Sequence, residues 1–295
     1  MIDIHAHLDF PEFDQDREEV ISRFFEKEGK TIVNIGVDLE RSQKSIELAE
    51  KYEGIYASVG LHPDWFTEHG KWNMKQVLEK LKKMAEHEKV VAIGECGLDY
   101  FRIKKPDFLK KNSFSAEEVK ENQKRGFLAQ IKIARELNLP VIVHCREACP
   151  VASDEIPERF EAWRDLYEIV SNFKFQISNF VLHCYSGSSE DTKRFLNFSN
   201  VHFSFSGNIT YPKPKKKHDK LVEAIQEIPL DKIMLDSDSP FLAPQEMRGK
   251  RNEPINILYI AKKIAEIKKI NKKEIERKTD ENAEKFFRIS LKNKN

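Results

Sequence analysis

Apolar positions along this chain fall into short runs of period two that alternate with stretches of helical period. Residues Met1 to Asp9 read as a strand. From Asp14 to Lys30, Val20, Ile21, Phe24 and Phe25 recur at helical spacing, the pattern stops at Gly29, and the run Thr31-Ile-Val-Asn-Ile-Gly-Val37 follows. The alternation continues with a helix near Arg41–Tyr52, a strand at Ile55–Leu61, a helix around Asn73–Glu88 and a strand at Val90–Gly94. Further on come a helix over Glu117–Leu137, a strand at Pro140–Val143, a helix within Ile156–Ser171 and strands at Phe180–Leu182, Val201–Phe205 and Lys232–Leu235. Two helices, near Pro254–Lys269 and Lys272–Phe287, close the chain, with Ile257, Ile260, Ala261 and Ile264 forming one apolar face of the first.

Eight strands alternating with helices over 295 residues predict an α/β fold, a (β/α)8 TIM barrel with extended βα loops at its C-terminal face, as one domain spanning residues 1–295. A doubly wound open sheet is the alternative, and the lack of a Gly-x-Gly-x-x-Gly turn after the first strand weakens it. The polar residues sharpen the barrel reading. Strand after strand ends in one: His5 and His7, His62, Glu95, His144, His183, and Asp236-Ser-Asp238. In such barrels the reactive groups sit at the carboxyl ends of the strands, so a single face collects them. His69, His87, His202 and His218 fall elsewhere and are read as ordinary surface or core histidines.

Composition adds boundaries. Charged residues make up 34% of the chain but balance to a formal net charge of +1, so no global field marks a nucleic-acid or membrane-surface protein. No apolar run of membrane-spanning length occurs, and the polar first nine residues are unlike a signal peptide. The expectation is a soluble, cytoplasmic monomer with no membrane partner. Cys96, Cys145, Cys149 and Cys184 show no C-x-x-C spacing and are expected to be reduced. Cys96, Cys145 and Cys184 each follow a candidate ligand, so strand alternation turns them toward the helix layer and argues against a zinc–thiolate site.

In a strand His5 and His7 leave the same face, as a pair of metal-ligating imidazoles requires. With His144, His183, Glu95 and Asp238 they supply four nitrogens and two carboxylates, too many for one tetrahedral ion and enough for two. Glu95, midway round the barrel, is the candidate bridge. A two-metal site activates water and clamps both oxygens of a displacement, so the chemistry expected is hydrolysis.

The blocks Asp3-Ile-His-Ala-His-Leu8, Gly60-Leu-His-Pro63, Gly94-Glu-Cys-Gly-Leu-Asp-Tyr100, Leu139-Pro-Val-Ile-Val-His144 and His183-Cys-Tyr-Ser-Gly187 resemble the TatD family of metal-dependent deoxyribonucleases. Phe203-Ser-Phe-Ser-Gly207, Asp236-Ser-Asp-Ser-Pro240, Arg248-Gly-Lys-Arg-Asn-Glu-Pro254 and Thr279-Asp-Glu-Asn282 extend the match in order. The resemblance implies two divalent ions per chain (Mg2+, Mn2+ or Zn2+) and hydrolysis of DNA, typically from the 3′ end. By position, His5, His7 and Asp238 would hold one ion, His144 and His183 the other, with Glu95 between them. Glu95, Asp238 and His62 are the catalytic candidates, Asp238 as proton acceptor and His62 facing the substrate phosphate. Asp236 stands where the family has a glutamate, which puts a supporting contact in question.

Basic clusters at Arg102–Lys111, Lys213–His218 and Arg248–Arg251 follow strand ends on the same face. His62, Arg102, Arg146, Arg248, Lys250 and Arg251 are therefore the candidate phosphate contacts, suited to single-stranded DNA ends without sequence choice. The connection from Glu147 to Ser178 is long and carries Trp163, Tyr167, Phe173 and Phe175. These aromatics offer a base-stacking surface, but packing of a helix onto the barrel is the preferred account. Competing functions are an amidohydrolase-like ester or amide hydrolase, including a D-aminoacyl-tRNA deacylase, and a metal-stabilised nucleic-acid-binding protein.

Overall fold

The structure is a computed structural model that describes the chain except residues 69–72, 102, 104–113, 148–160, 174–178 and 290–295, and the side chains of residues 216 and 217. Its eight strands are β1 (Ile2–Ala6), β2 (Thr31–Ile35), β3 (Ile55–Val59), β4 (Val90–Asp99), β5 (Val141–Arg146), β6 (Phe180–Leu182), β7 (Val201–Phe205) and β8 (Ile233–Leu235). They pair in sequence order, each neighbour parallel to the next. The ring closes where His7 N–H donates to the Ser239 carbonyl at 2.8 Å and Asp238 N–H to the His5 carbonyl at 2.9 Å. This is the (β/α)8 TIM barrel that the alternation predicted.

Two layers of apolar side chains follow from strand alternation. Ile2, Ile4, Val33, Ile35, Val91, Ile142, Val181 and Met234 form one cluster with Phe286, Phe287 and Ile289. The closing helix Lys272–Phe287 lies against the strand starts: Asp280 accepts from Ile2 N–H at 2.7 Å, and Asn282 Nδ2 donates to the Ile233 carbonyl at 2.8 Å. Outside the strands a larger cluster, including Ile32, Ala57, Ile93, Val143, Leu182 and Phe203, packs against the helices.

The alternation changes phase in two strands. In β1, Ile2 and Ile4 belong to the inner cluster, whereas Ala6 and Leu8 belong to the outer one, and the register slips between Asp3 and Ala6. In β4 the register slips again between Ile93 and Cys96, both of them in the outer cluster. Such bulges re-aim side chains, and here they fall at His5 and Glu95. Beyond its bulge β4 continues to Asp99, five residues past the strand end expected at Gly94. Gly97 has φ of 146°, and a Cβ there would overlap the carbonyl of His144, so only glycine lets the two strands approach.

The helix Ala116–Leu137 presents two buried glutamines toward the barrel. Gln130 accepts from Leu61 N–H and donates to its carbonyl, at 2.8 and 3.0 Å. Gln123 does the same for Asp99, at 2.9 and 3.0 Å. Each side chain acts as a strand partner for backbone that would otherwise be buried without one. The helix Glu161–Phe173 packs Trp163 against Tyr185 and Phe195, and Tyr167 against Phe198, so these aromatics hold the helix to the barrel as preferred; Phe175 lies outside the described residues. No helix among the described residues is long and apolar enough to cross a membrane.

Candidate active site

Six strand ends bring their polar groups to the carboxyl face, and Glu95 stands at their centre. Its two oxygens look different ways. Oε2 lies 3.5 Å from His5 Nε2 and 4.0 Å from His7 Nε2, and these two nitrogens are 3.8 and 3.6 Å from Asp238 Oδ1. Oε1 lies 2.6 Å from His144 Nδ1, 2.8 Å from His183 Nε2 and 3.9 Å from His62 Nε2. The six residues expected to hold metal therefore converge, as two groups sharing one carboxylate.

Among the described residues three sets of donors are spaced to take an ion: His5, His7 and Asp238; His5, Glu95 and His183; and His62, Asp99 and His144. None includes a cysteine. The donor chemistry fits divalent cations. His5 Nε2 is fully buried without a hydrogen-bond partner, though two carboxylates stand just beyond reach of it. An unpaired buried nitrogen beside two carboxylates is costly alone and suits a shared cation. His5, His7, Asp238 and Glu95 would hold one ion, and His144, His183 and Glu95 the other.

Asp99 was not singled out from the sequence, although it lies four residues after Glu95 in one strand, a period-two position on the same face. Its Oδ2 is 3.2 Å from His144 Nε2. That contact leaves Nδ1, the atom facing Glu95, as the nitrogen for a metal.

The electrostatics follow from this crowding. Burial works against charge on His144, yet hydrogen bonds to Asp99 and Glu95 win and raise its pKa to about 10. Burial also opposes ionisation of Glu95, but His183 and His144 hold it well below the usual carboxylate range. Asp238 is likewise lowered against burial, chiefly by its bond to His7. His62 goes the other way: burial, aided by the neighbouring His144, lowers it to about 3. Its Nδ1 accepts from Asp64 N–H at 3.1 Å, so the proton of the neutral ring sits on Nε2, directed to the Glu95 side.

Asp236, the residue that departs from the family's glutamate, is fully buried and accepts from the hydroxyls of Ser204 and Ser206 and from Cys184 N–H at 3.0 Å. The shorter side chain is thus satisfied by two serines of β7 and its end. Cys96 and Cys145 do pack in the outer core, but Cys184 does not. β6 ends at Leu182, alternation lapses, and Cys184 at φ of 44° accepts from Asn208 Nδ2 at 3.6 Å.

The basic candidates divide. Arg146 is half exposed, 4.0 Å from Asp99 and 3.9 Å over the Phe101 ring, beside the metal donors. Arg248 lies 4.2 Å over Tyr211, and Lys250 is exposed next to it. The Arg251 guanidinium is bound by both oxygens of Asp16, at 2.7 and 2.6 Å, and stacks on Phe13, so its charge is already matched by protein. Arg102 lies outside the described residues.

The sequence matches the family described as TatD related DNase over residues 2–288. The uncharacterized metal-dependent hydrolase YabD of Bacillus subtilis strain 168 is 36% identical over 294 residues, which cover 98% of this chain and all of that protein. The 3'-5' ssDNA/RNA exonuclease TatD of Escherichia coli K12 is 29% identical, with 99% of this chain and 100% of that one covered. The crystal structure of YjjV, a TatD homolog from Escherichia coli K12, shares 26% identity and a TM-score of 0.80 over 98% of each chain. With the strand-end donors in place, the chain belongs to the TatD family of metal-dependent hydrolases, enzymes that cleave ester bonds.

Proposed function

We propose that the protein is a two-metal exonuclease that removes nucleotides from the 3′ end of single-stranded DNA. The observation that carries the reading is the division of Glu95, one oxygen toward His5, His7 and Asp238 and the other toward His144 and His183. The similarity to the Escherichia coli exonuclease supports the choice of substrate and polarity. Two divalent cations, held by His5, His7 and Asp238 on one side and His144 and His183 on the other with Glu95 shared, would lower the pKa of water and offset charge on the phosphoryl oxygens.

The protein's own groups do the rest. Asp238, ionised and only 16% exposed, accepts the proton of the attacking water. His62, neutral and carrying its proton on Nε2, donates to a non-bridging phosphate oxygen without adding a charge that would repel the cations. Arg146 meets the phosphate from the rim, and Arg248 and Lys250 meet the strand beyond it. Phosphate contacts of this kind hold a strand without reading its sequence.

Cleavage of 3′- and 5′-labelled single-stranded DNA, duplex DNA and RNA with Mg2+, Mn2+ or Zn2+ tests the reading, alongside Glu95→Ala and Asp238→Asn. Shortening from the 3′ label that both substitutions abolish in folded protein is the expected result. A folded protein that holds two ions yet cleaves no oligonucleotide would move the assignment to ester or amide hydrolysis.

A further inference from the structure

The mouth of the barrel carries one feature that metal chemistry does not use. Among the described residues Phe241 is the large apolar side chain left exposed, with 47% of its surface open, and it belongs to neither core cluster. It sits three residues beyond Asp238, and its N–H donates to the Asp238 carbonyl at 2.8 Å. The ring is thus tied to the backbone of a proposed metal ligand. Its centroid lies 6.2 Å from that of His7 and 5.9 Å from that of Phe10, edge-on to both. Phe10 lies on His7 at 4.7 Å, and the Arg41 guanidinium covers Phe10 at 4.8 Å. Arg41 is fixed in turn by the Asp9 carbonyl at 2.7 Å.

These contacts make Phe10 and Arg41 a backing and leave Phe241 with a free face. The next residue, Leu242, has φ of 51°, a left-handed conformation that a leucine adopts rarely. The loop holds this geometry while Phe241 stays outside the core. A single ring is too small a patch for docking a protein. It has the size of a nucleobase and stands beside the place where the reacting phosphate must lie.

We infer that Phe241, backed by Phe10, is the stacking platform for the base of the terminal nucleotide of a single-stranded substrate, an inference that rests on the exonuclease reading. The nucleotide lies across the pair of metal sites, its phosphate toward His62 and Arg146 and its base on Phe241. Every base has a π-face, so the platform gives affinity without base choice, and it requires an end free of a complementary strand.

The test uses protein loaded with Mg2+ and a phosphorothioate oligonucleotide that resists cleavage, carrying 2-aminopurine at its 3′ end. Wild-type protein is expected to quench the fluorophore on binding. Phe241→Ala abolishes the quench and weakens binding by about 5- to 100-fold, while Phe241→Trp restores both. An abasic 3′ nucleotide costs the wild type a similar factor and costs Phe241→Ala nothing further. Losses from the two changes that multiply independently, or an alanine variant that binds and quenches like wild type, would overturn the stacking role while leaving the nuclease intact. A wild type that neither binds nor shortens any oligonucleotide would overturn the exonuclease reading and the platform with it.

Discussion

The two sides of Glu95 are built by different means. On one side His5, His7 and Asp238 come from the strands that close the barrel, and main-chain bonds between His7 and Ser239 and between Asp238 and His5 hold them together. The His5 and His7 side chains are 0% and 4% exposed. On the other side His62, His144 and His183 stand on or just past the ends of β3, β5 and β6, where His183 N–H donates to the Val143 carbonyl at 3.0 Å, and their side chains are 19%, 14% and 5% exposed. Closure of the fold sets the first group; in the second, Asp99, which Gln123 clamps at its backbone, orients His144. Closure should make one ion hard to dislodge, and a hydrogen bond should make the other adjustable.

Removing what the two sides share gives the largest effect. Glu95→Gln is expected to lower kcat by about 10³-fold or more, since it removes the anionic carboxylate shared by the two groups that would hold the cations, and to reduce the bound metal on both sides. Metal content measured by plasma emission checks this; loss of a single ion would show that Glu95 serves one side alone. Next comes the side-chain support of the more open group. Asp99→Asn should weaken one of two calorimetric metal-binding events by about 10- to 100-fold and leave the other in place. Equal weakening of both would erase the contrast.

Protonation separates the sides further. Because His144 is raised from 6.5 to about 10 in the metal-free fold, its charged form stabilises that fold below pH 6.5, and the gain is lost as pH rises toward 10. The melting temperature of metal-free wild type should therefore exceed that of metal-free Asp99→Asn at pH 6 and approach it by pH 10. A gap that widens with pH would refute the Asp99–His144 account. The smallest effect belongs to the rim. Arg248→Ala should weaken oligonucleotide binding several-fold and reduce the slope of log affinity against log salt by about 1, whereas Arg251→Ala should leave that slope unchanged.

The difference between Arg248 and Arg251 also marks how far the sequence could be read. Eight strands and the six candidate ligand residues that converge were legible because period-two runs end in His, Glu or Asp one after another, and that pattern is local. The pairing of Arg251 with Asp16 joins residues 235 apart and leaves no local trace. The bulges at His5 and Glu95 depend on the register of neighbouring strands, so alternation alone did not reveal the phase change. Asp99 lies on the right face of its strand, but the apolar run that marks the strand in the sequence stops at Gly94, five residues short of it. Cys184 was placed by alternation carried past the point where β6 stops. Phe241, read as one letter after a proline, becomes conspicuous only when every other large apolar side chain described has found cover.

Closure of the barrel by its first and last strands also has a consequence for synthesis. Ser237 N–H reaches the Asp3 carboxylate across 234 residues, and the bonds to His5 and His7 span nearly as many. The opening strand leaves the ribosome long before its closing partner, and such distant contacts are among the last that a growing chain can make. Until residues 237–239 emerge, β1 has an unpaired edge and its two histidines lack Asp238. A polypeptide halted before residue 237 therefore carries no finished hydrolytic centre, and the activity appears only after residues 237–239 have been made.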